Sequence, residues 1–179
     1  MKKKELQLCN ILEVSGIIFC VLFRFFTQRL CEWCNGDLMG VLFGAVNQSI
    51  WEQNKTTFLA VFLWGILEIM IMRYSMKRLT VAKTVSLYAS GIVLLLGGSI
   101  YVCVPVLIGS AVLTVFLFRS ELYLKNLFAP CIFLLFLFLS FYFCFTPFPP
   151  HFWLFEDVQT HFYGIIPAYI DKGAAILSN

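Results

Sequence analysis

The sequence predicts an all-α fold, a bundle of about five transmembrane helices that forms one integral membrane domain over residues 1–179. Its composition is 60% hydrophobic and only 13% charged, with a mean hydropathy of +0.86, which is not that of a soluble globular domain. Several apolar runs approach the roughly 20 residues that cross about 30 Å of hydrocarbon. These runs lack the alternation of outward and inward residues that marks barrel strands, so we expect helices.

The apolar runs place the five spans at residues 10–27, 50–72, 81–97, 105–118 and 127–145. Pro105 suits the first turn of the fourth span, and Gly98 and Ser99 predict a tight turn before it. After the fifth span, Pro147 cannot continue a helix, so the chain should leave the membrane there. The later part of the tail, residues 146–179, is apolar enough to lie along the membrane interface.

Basic side chains are unevenly divided between the two ends of the predicted spans. Nine lie at one end: Lys2, Lys3, Lys4, Arg73, Lys77, Arg78, Lys83, Arg119 and Lys125. Three lie at the other: Arg29, Lys55 and Lys172. By the positive-inside rule, the N-terminus is then cytoplasmic and the tail 146–179 is extracytoplasmic. The sequence has no basic stripe with interleaved aromatic residues, so we expect no nucleic-acid partner.

A polar stretch at the outer mouth of the second span is the most informative part of the chain. Ser49 and Glu52 have the spacing of a capping box, in which each side chain satisfies a backbone amide of the other residue. Trp51 would then lie at headgroup depth, and Lys55 would support Glu52 or Trp51 from three or four positions away. A functional interpretation is equally open. If the helix extends back to Asn47, then Asn47, Trp51 and Lys55 share one face that can bind a polar ligand.

Three ionisable residues lie within or near the hydrocarbon: Glu13, Arg24 and Glu68. A buried charge without a partner costs at least about 2.5 to 3.5 kcal/mol, so each should face protein or water. We expect Arg24 to pair with an outer carboxylate, Glu52 first and Asp157 second. Glu13 and Glu68 both lie towards the cytoplasmic end, where a salt bridge between helices competes with a functional role.

Two further patterns are candidates for chemistry. Cys31 and Cys34 form a CxxC, which without a thioredoxin-type context fits a disulfide, a reduced pair or coincidence equally well. His151 and His161 stand near Asp157, but a ten-residue separation matches no standard zinc spacing. We therefore assign no metal site and no cofactor.

The motifs together resemble an uncharacterised family of small bacterial integral membrane proteins, known as a domain of unknown function. The matching motifs are Leu22-Phe23-Arg24-Phe25 with Glu32-Trp33, Val46-Asn47-Gln48-Ser49-Ile50-Trp51-Glu52-Gln53 with Lys55, and Pro149-Pro150 with Leu154-Phe155-Glu156-Asp157 and Tyr163-Gly164-Ile165. The resemblance covers most of the chain. It implies a multi-pass protein of the bacterial plasma membrane, and it implies no known activity.

The chain departs from the family pattern at three places. The central family motif reads Asn-Glu-Ser-x-Trp-Glu-His, whereas this chain has Gln48 at the glutamate and Gln53 at the histidine. Arg24 stands where the family commonly has a histidine in the first span. Glutamine does not exchange a proton near neutral pH and arginine stays charged. Acid–base or metal chemistry of the relatives is therefore not expected here.

We accordingly expect a non-enzymatic membrane protein with a polar ligand-binding or transport-related pocket at its extracytoplasmic face. The residues assigned to this pocket are Arg24, Asn47, Trp51, Glu52, Lys55 and Asp157. Two alternatives stay open: a helical subunit of a membrane complex, or a membrane-embedded hydrolase that uses Glu52 or Asp157 as its base. The expected partners are the lipid bilayer, a small-molecule or lipid ligand, and a membrane protein.

Overall fold

The computed structural model describes residues 3–97, 102–120 and 127–164. Over these ranges the chain is helical, without a β-strand, and an isolated antiparallel bridge joins Glu156 to Tyr163. The expected all-α fold is confirmed. Some features considered above lie outside the described residues: Lys2, the turn at Gly98 and Ser99, Lys125, and the tail beyond Gly164 with Ile165 and Lys172.

Seven α-helices follow one another along the described part of the chain. They are α1 (Lys3–Gln28), α2 (Leu30–Trp33), α3 (Leu38–Phe43), α4 (Ile50–Ile71), α5 (Met76–Gly97), α6 (Cys103–Arg119) and α7 (Phe128–Phe145). A 3-10 turn at Arg73–Ser75 joins α4 to α5. Pro105 lies in the first turn of α6, as expected for a residue without a backbone N–H.

Among the described residues, four segments are long and apolar enough to cross a membrane: Lys4–Gln28, Ile50–Ile71, Arg73–Gly97 and Phe128–Phe145. α6 is apolar too, but its 17 residues give about 26 Å of helix, slightly less than the hydrocarbon core. Two helices begin before the expected spans: α1 begins at Lys3, ahead of residue 10, and α5 at Met76, ahead of residue 81. Helices extend beyond their apolar runs because backbone hydrogen bonds also hold polar turns.

Four helices form the body of the bundle. α4 and α6 each pack against both α1 and α5, whereas α7 packs on the outside of α5. In α7 only 11% of the most apolar stretch is buried inside the protein, and Phe133 and Phe136 are each 66% exposed. Protein therefore surrounds the polar groups that lie on the inner faces of α1, α4, α5 and α6.

The N-terminal end of α4 is covered by the segment that follows α7. Trp51 packs against Phe58, Phe145 and Phe155, and its backbone N–H donates to the carbonyl of Leu154 at 3.0 Å. Trp51 is only 7% exposed, so it faces protein and not lipid, and its position at headgroup depth stays a prediction. The returning tail supplies the aromatic surroundings that lipid was expected to supply.

The short helices α2 and α3 form a second cover beside this one. They approach each other so closely at Gly44 that a Cβ there would lie 2.6 Å from the carbonyl oxygen of Gly40 and 2.7 Å from the nitrogen of Cys31. The Tyr142 hydroxyl of α7 donates to the carbonyl of Leu42 at 3.0 Å. This bond fastens the cover to the bundle.

Candidate functional site

A buried ion pair occupies the first turns of α4. Lys55 Nζ lies 2.6 Å from Glu52 Oε2, and Lys55 has no exposed surface. The ammonium also donates to the carbonyl of Val41 at 3.1 Å, and the N–H of Val46 donates to Glu52 Oε2 at 3.0 Å. The expected support of Glu52 by Lys55 is confirmed, and the pair holds the segment after α3 against α4.

Ser49 caps α4. Its hydroxyl accepts a hydrogen bond from the N–H of Glu52 at 3.2 Å, as predicted for an N-cap. The reciprocal half of the capping box is wrong, because the N–H of Ser49 donates to Asn47 Oδ1 at 2.9 Å and not to Glu52. The Glu52 carboxylate instead binds the Lys55 ammonium and the N–H of Val46.

Asn47 links this cap to the C-terminal segment. Its Nδ2 donates to the carbonyl of Gly164 at 2.9 Å. The expectation that Asn47 shares a helix face with Trp51 and Lys55 is wrong, since α4 begins at Ile50, after the extended N-cap residue Ser49. Asn47 therefore contributes to the site from a loop.

Arg24 lies apart from this polar cluster, where α1 meets α4 and α6. It is 4% exposed, and its Nη1 donates to the hydroxyl of Thr57. Thr57 Oγ1 in turn lies 3.6 Å from Cys103 Sγ. Within the described ranges, Arg24 Nη2 is buried without a hydrogen-bond partner.

The expected pairing of Arg24 with Glu52 or Asp157 is wrong for the described residues. Glu52 and Thr57 are five residues apart, which places them about 140° apart around α4, so the face that meets Arg24 does not carry Glu52. The two oxygens of Asp157 accept hydrogen bonds from the N–H of Gln159 at 2.9 Å and the hydroxyl of Thr160 at 3.0 Å.

The six assigned residues thus divide by position. Asn47, Glu52 and Lys55 form one polar cluster, while Arg24 stands alone among the six. Trp51 belongs to the aromatic cover, and Asp157 holds a loop of the tail. Because the carboxylates of Glu52 and Asp157 are taken up by these structural contacts, the geometry does not favour either as the base of a hydrolase.

The CxxC and the histidines also have structural surroundings. Cys31 and Cys34 are free thiols, and burial raises the pKa of Cys31 to about 11, which leaves it almost wholly protonated near neutral pH. His161 Nδ1 lies 2.7 Å from Glu156 Oε1. In the part of the chain that the structure describes, no group of three or more His, Cys, Asp or Glu residues is placed to hold a metal ion.

A second charged cluster lies at the opposite end of the bundle, and the sequence analysis missed it. Lys83 was counted among the basic residues that flank the spans, but it lies inside α5 and contacts both Glu13 and Glu68. A signal was present, because residue 83 falls within the predicted span 81–97. A lysine there needs partners, and the two intramembrane glutamates were the candidates.

Comparison with known proteins returned no relative. No family model, curated protein or solved structure matches this chain. The resemblance to the uncharacterised membrane family stays a prediction.

Proposed function

We propose that this chain is a five-span protein of the bacterial plasma membrane that binds an anionic ligand at Arg24, in the extracytoplasmic half of the bundle. The ligand carries a carboxylate or a phosphate, on a small molecule or on a lipid headgroup. α6 brings the number of spans from four to five and is the fourth in chain order. A short apolar helix can be accommodated by local thinning of the bilayer. Lys83 and Lys55 form ion pairs inside the bundle; without them, eight basic residues remain at the cytoplasmic ends against two, Arg29 and Lys172, at the other ends.

The observation that carries the proposal is the unused half of the Arg24 guanidinium. Thr57 fixes Nη1, whereas Nη2 is buried without a partner among the described residues. A guanidinium stays ionised, and a buried charge without a counter-ion is strongly unfavourable. Carboxylate and phosphate oxygens match its planar donors and would supply the missing charge.

The position of Arg24 suits a ligand that arrives from the outer leaflet. Arg24 is four residues before the end of α1 at Gln28, or about 6 Å of helix rise. Its neighbours Leu22 and Phe25 are exposed on the other side of α1. A headgroup phosphate or a small carboxylate at that depth would therefore need only a short path between helices.

The polar cluster at the start of α4 does not oppose an anion at Arg24. Lys55 balances the charge of Glu52, so this cluster adds no net negative charge near Arg24. Asn47 and Asp157 organise the covering segments by hydrogen bonds. In the proposal these residues, with Trp51, build the outer wall of the site.

Thermal unfolding in a neutral detergent tests the proposal. Inorganic phosphate, acetate and short-chain phosphatidylglycerol are added separately to the wild-type protein, Arg24→Gln and Arg29→Gln. Arg29 is an exposed arginine five residues away and serves as the control. We expect at least one anion to raise the melting temperature of wild type and Arg29→Gln but not of Arg24→Gln.

The pattern of stabilisation identifies the ligand's source. Stabilisation by phosphatidylglycerol alone points to a lipid headgroup, and native mass spectrometry should then show the lipid retained by wild type and lost from Arg24→Gln. Stabilisation by the soluble anions points to a small molecule. Equal responses of all three proteins to every anion would overturn the proposal.

A further inference from the structure

We propose that Glu13 binds and releases one proton inside the bundle, as the titrating member of a buried triad with Lys83 and Glu68. This site is separate from the anion site at Arg24, and the inference does not rest on it. The ligand is the proton itself, exchanged with water.

Three helices supply the triad. Lys83 Nζ of α5 lies 2.7 Å from Glu13 Oε1 of α1 and 2.5 Å from Glu68 Oε2 of α4. Glu13 and Glu68 are 5% and 1% exposed. One ammonium therefore bridges two carboxyl groups that solvent scarcely reaches.

The charges of the triad do not balance. Two carboxylates and one ammonium leave a net charge of −1 when all three groups are ionised. An uncompensated charge inside a low-dielectric bundle is strongly unfavourable, whereas a neutral cluster is not. One added proton converts a carboxylate into a carboxylic acid, breaks no covalent bond of the protein, and brings the net charge to zero.

The hydrogen bonds distinguish the two carboxyl groups. Trp64 Nε1 donates a hydrogen bond to Glu68 Oε1 at 2.8 Å, and the Lys83 ammonium forms an ion pair with the other oxygen, so Glu68 has a partner at each oxygen. For Glu13, the polar partner among the described residues is Lys83. Donors stabilise the charged form of a carboxyl group. Glu68 therefore stays ionised, and Glu13 takes the proton.

A small cavity beside the triad has room for a water molecule, which can carry the proton. It has a volume of about 20 Å³, and its lining includes Glu13, Lys83, Trp64 and Ser110. That volume is enough for about one water molecule, with polar partners on its wall. A hydrated metal cation does not fit. The Lys83 ammonium already occupies the place between the carboxylates that a bare cation would take.

The remaining groups around the triad do not supply the missing charge. From α1, the titratable neighbours are Cys9 and Cys20, whose free thiols carry no charge. The part of α6 that lines the cavity contributes Leu107, Ser110 and Ala111, none of which carries a charge. Within the described residues, the proton on Glu13 is thus the simplest source of neutrality.

Infrared spectroscopy of the protein in lipid nanodiscs tests the proposal directly. A protonated carboxylic acid has a carbonyl band that carboxylates lack, and labelling all glutamates with carbon-13 shifts only glutamic acid bands. We expect a label-sensitive band in wild type near neutral pH. Glu13→Asp in the labelled background should replace it by a label-insensitive band, whereas Glu68→Asp and the exposed control Glu32→Asp should keep the labelled one.

Each other spectral outcome would contradict a specific part of the proposal. A wild-type spectrum without a protonated glutamic acid near neutral pH overturns the proposal, and this arm needs no variant to fold. A labelled band that survives Glu13→Asp but not Glu68→Asp overturns the assignment to Glu13. Loss of the band on adding sodium chloride at constant pH would mean that the triad binds a cation and not a proton.

Discussion

Lys55 and Glu52 form an ion pair of 2.6 Å in which the lysine has no exposed surface. Besides each other, they bind the backbone of Val41 and Val46. The net contribution of a buried pair is small, because desolvation offsets the attraction, but removing one partner leaves the other charge uncompensated. This pair is therefore expected to be sensitive to single substitutions and tolerant of a paired one.

The first prediction follows from that asymmetry. Lys55→Met should lower the free energy of unfolding in detergent by about 3 to 5 kcal/mol, because Glu52 keeps its buried charge. Adding Glu52→Gln should recover part of the loss. Denaturant unfolding of the two single variants and the double variant measures this, with the exposed Lys4→Met as a control that should not change. A double variant as unstable as the sum of the singles would contradict the role of the pair.

The second prediction concerns the start of α4. Ser49→Ala removes the acceptor of the Glu52 N–H and should cost about 0.5 to 2 kcal/mol of stability, as other N-cap losses do. Gln48→Ala, whose side chain is exposed on the adjacent residue, should leave the melting temperature unchanged. If Ser49→Ala behaves like Gln48→Ala in a thermal melt, the hydroxyl does not cap the helix.

The helices were predictable where the hydrocarbon sets their length. The expected spans 50–72 and 127–145 nearly coincide with Ile50–Ile71 and Phe128–Phe145. The starts of α1 and α5 were not, because their first turns are polar and lie outside the apolar run. Hydropathy reports where a helix meets lipid, whereas the helix itself ends where its backbone hydrogen bonds end.

Contacts within the site were predictable only when they are local. Ser49 and Lys55 each meet Glu52 at a spacing of three residues, so one helix geometry fixes both pairs. The partners of Arg24 and Lys83 lie on other helices, and they depend on which faces of α1, α4 and α5 meet. A single sequence does not fix how each helix is rotated about its axis. Arg24 was therefore assigned to Glu52, and Lys83 to the residues that flank the spans.

The third prediction is a pH effect in the tail. The hydrogen bond from His161 holds the pKa of Glu156 below its usual range. A carboxyl group whose pKa is lowered by folding stabilises the fold above its unfolded pKa, and this stability is lost as the pH falls through the folded value. The protection of residues 151–164 from hydrogen exchange, measured relative to the intrinsic exchange rate at each pH, should thus fall modestly on acidification below the usual carboxyl range. Glu156→Gln should abolish this acid step, and identical profiles of the two proteins would contradict it.

The fourth prediction compares two helical glycines. A Cβ at Gly16 would lie 2.4 Å from Trp64 Nε1, whereas a Cβ at Gly109 meets nothing within 4 Å. Gly16→Ala should displace the indole, weaken its bond to Glu68 and cost about 1 to 3 kcal/mol, as overpacking does. Gly109→Ala should be neutral or stabilise by up to about 1 kcal/mol from helix propensity. Unfolding and tryptophan fluorescence report both, and equal effects would mean that α1 and α4 are not so closely packed.

The last prediction concerns the partner of Arg24. The guanidinium contacts Thr57 and not Glu52, so Arg24→Gln combined with Glu52→Gln should give additive losses of unfolding free energy, within about 0.5 kcal/mol. Arg24→Gln combined with Thr57→Val should instead be non-additive, by about 0.5 to 3 kcal/mol, since each single variant already removes the shared hydrogen bond.

Both double-mutant cycles for Arg24 use the same reference variant, so general weakening of α1 cancels between them. They are run in neutral detergent without added anions, because an anion bound at Nη2 would itself change the loss caused by Arg24→Gln. Strong coupling to Glu52 together with additivity at Thr57 would mean that the guanidinium reaches the other face of α4. In that case Glu52 would be its counter-ion, and the reason to expect an external anion at Arg24 would disappear.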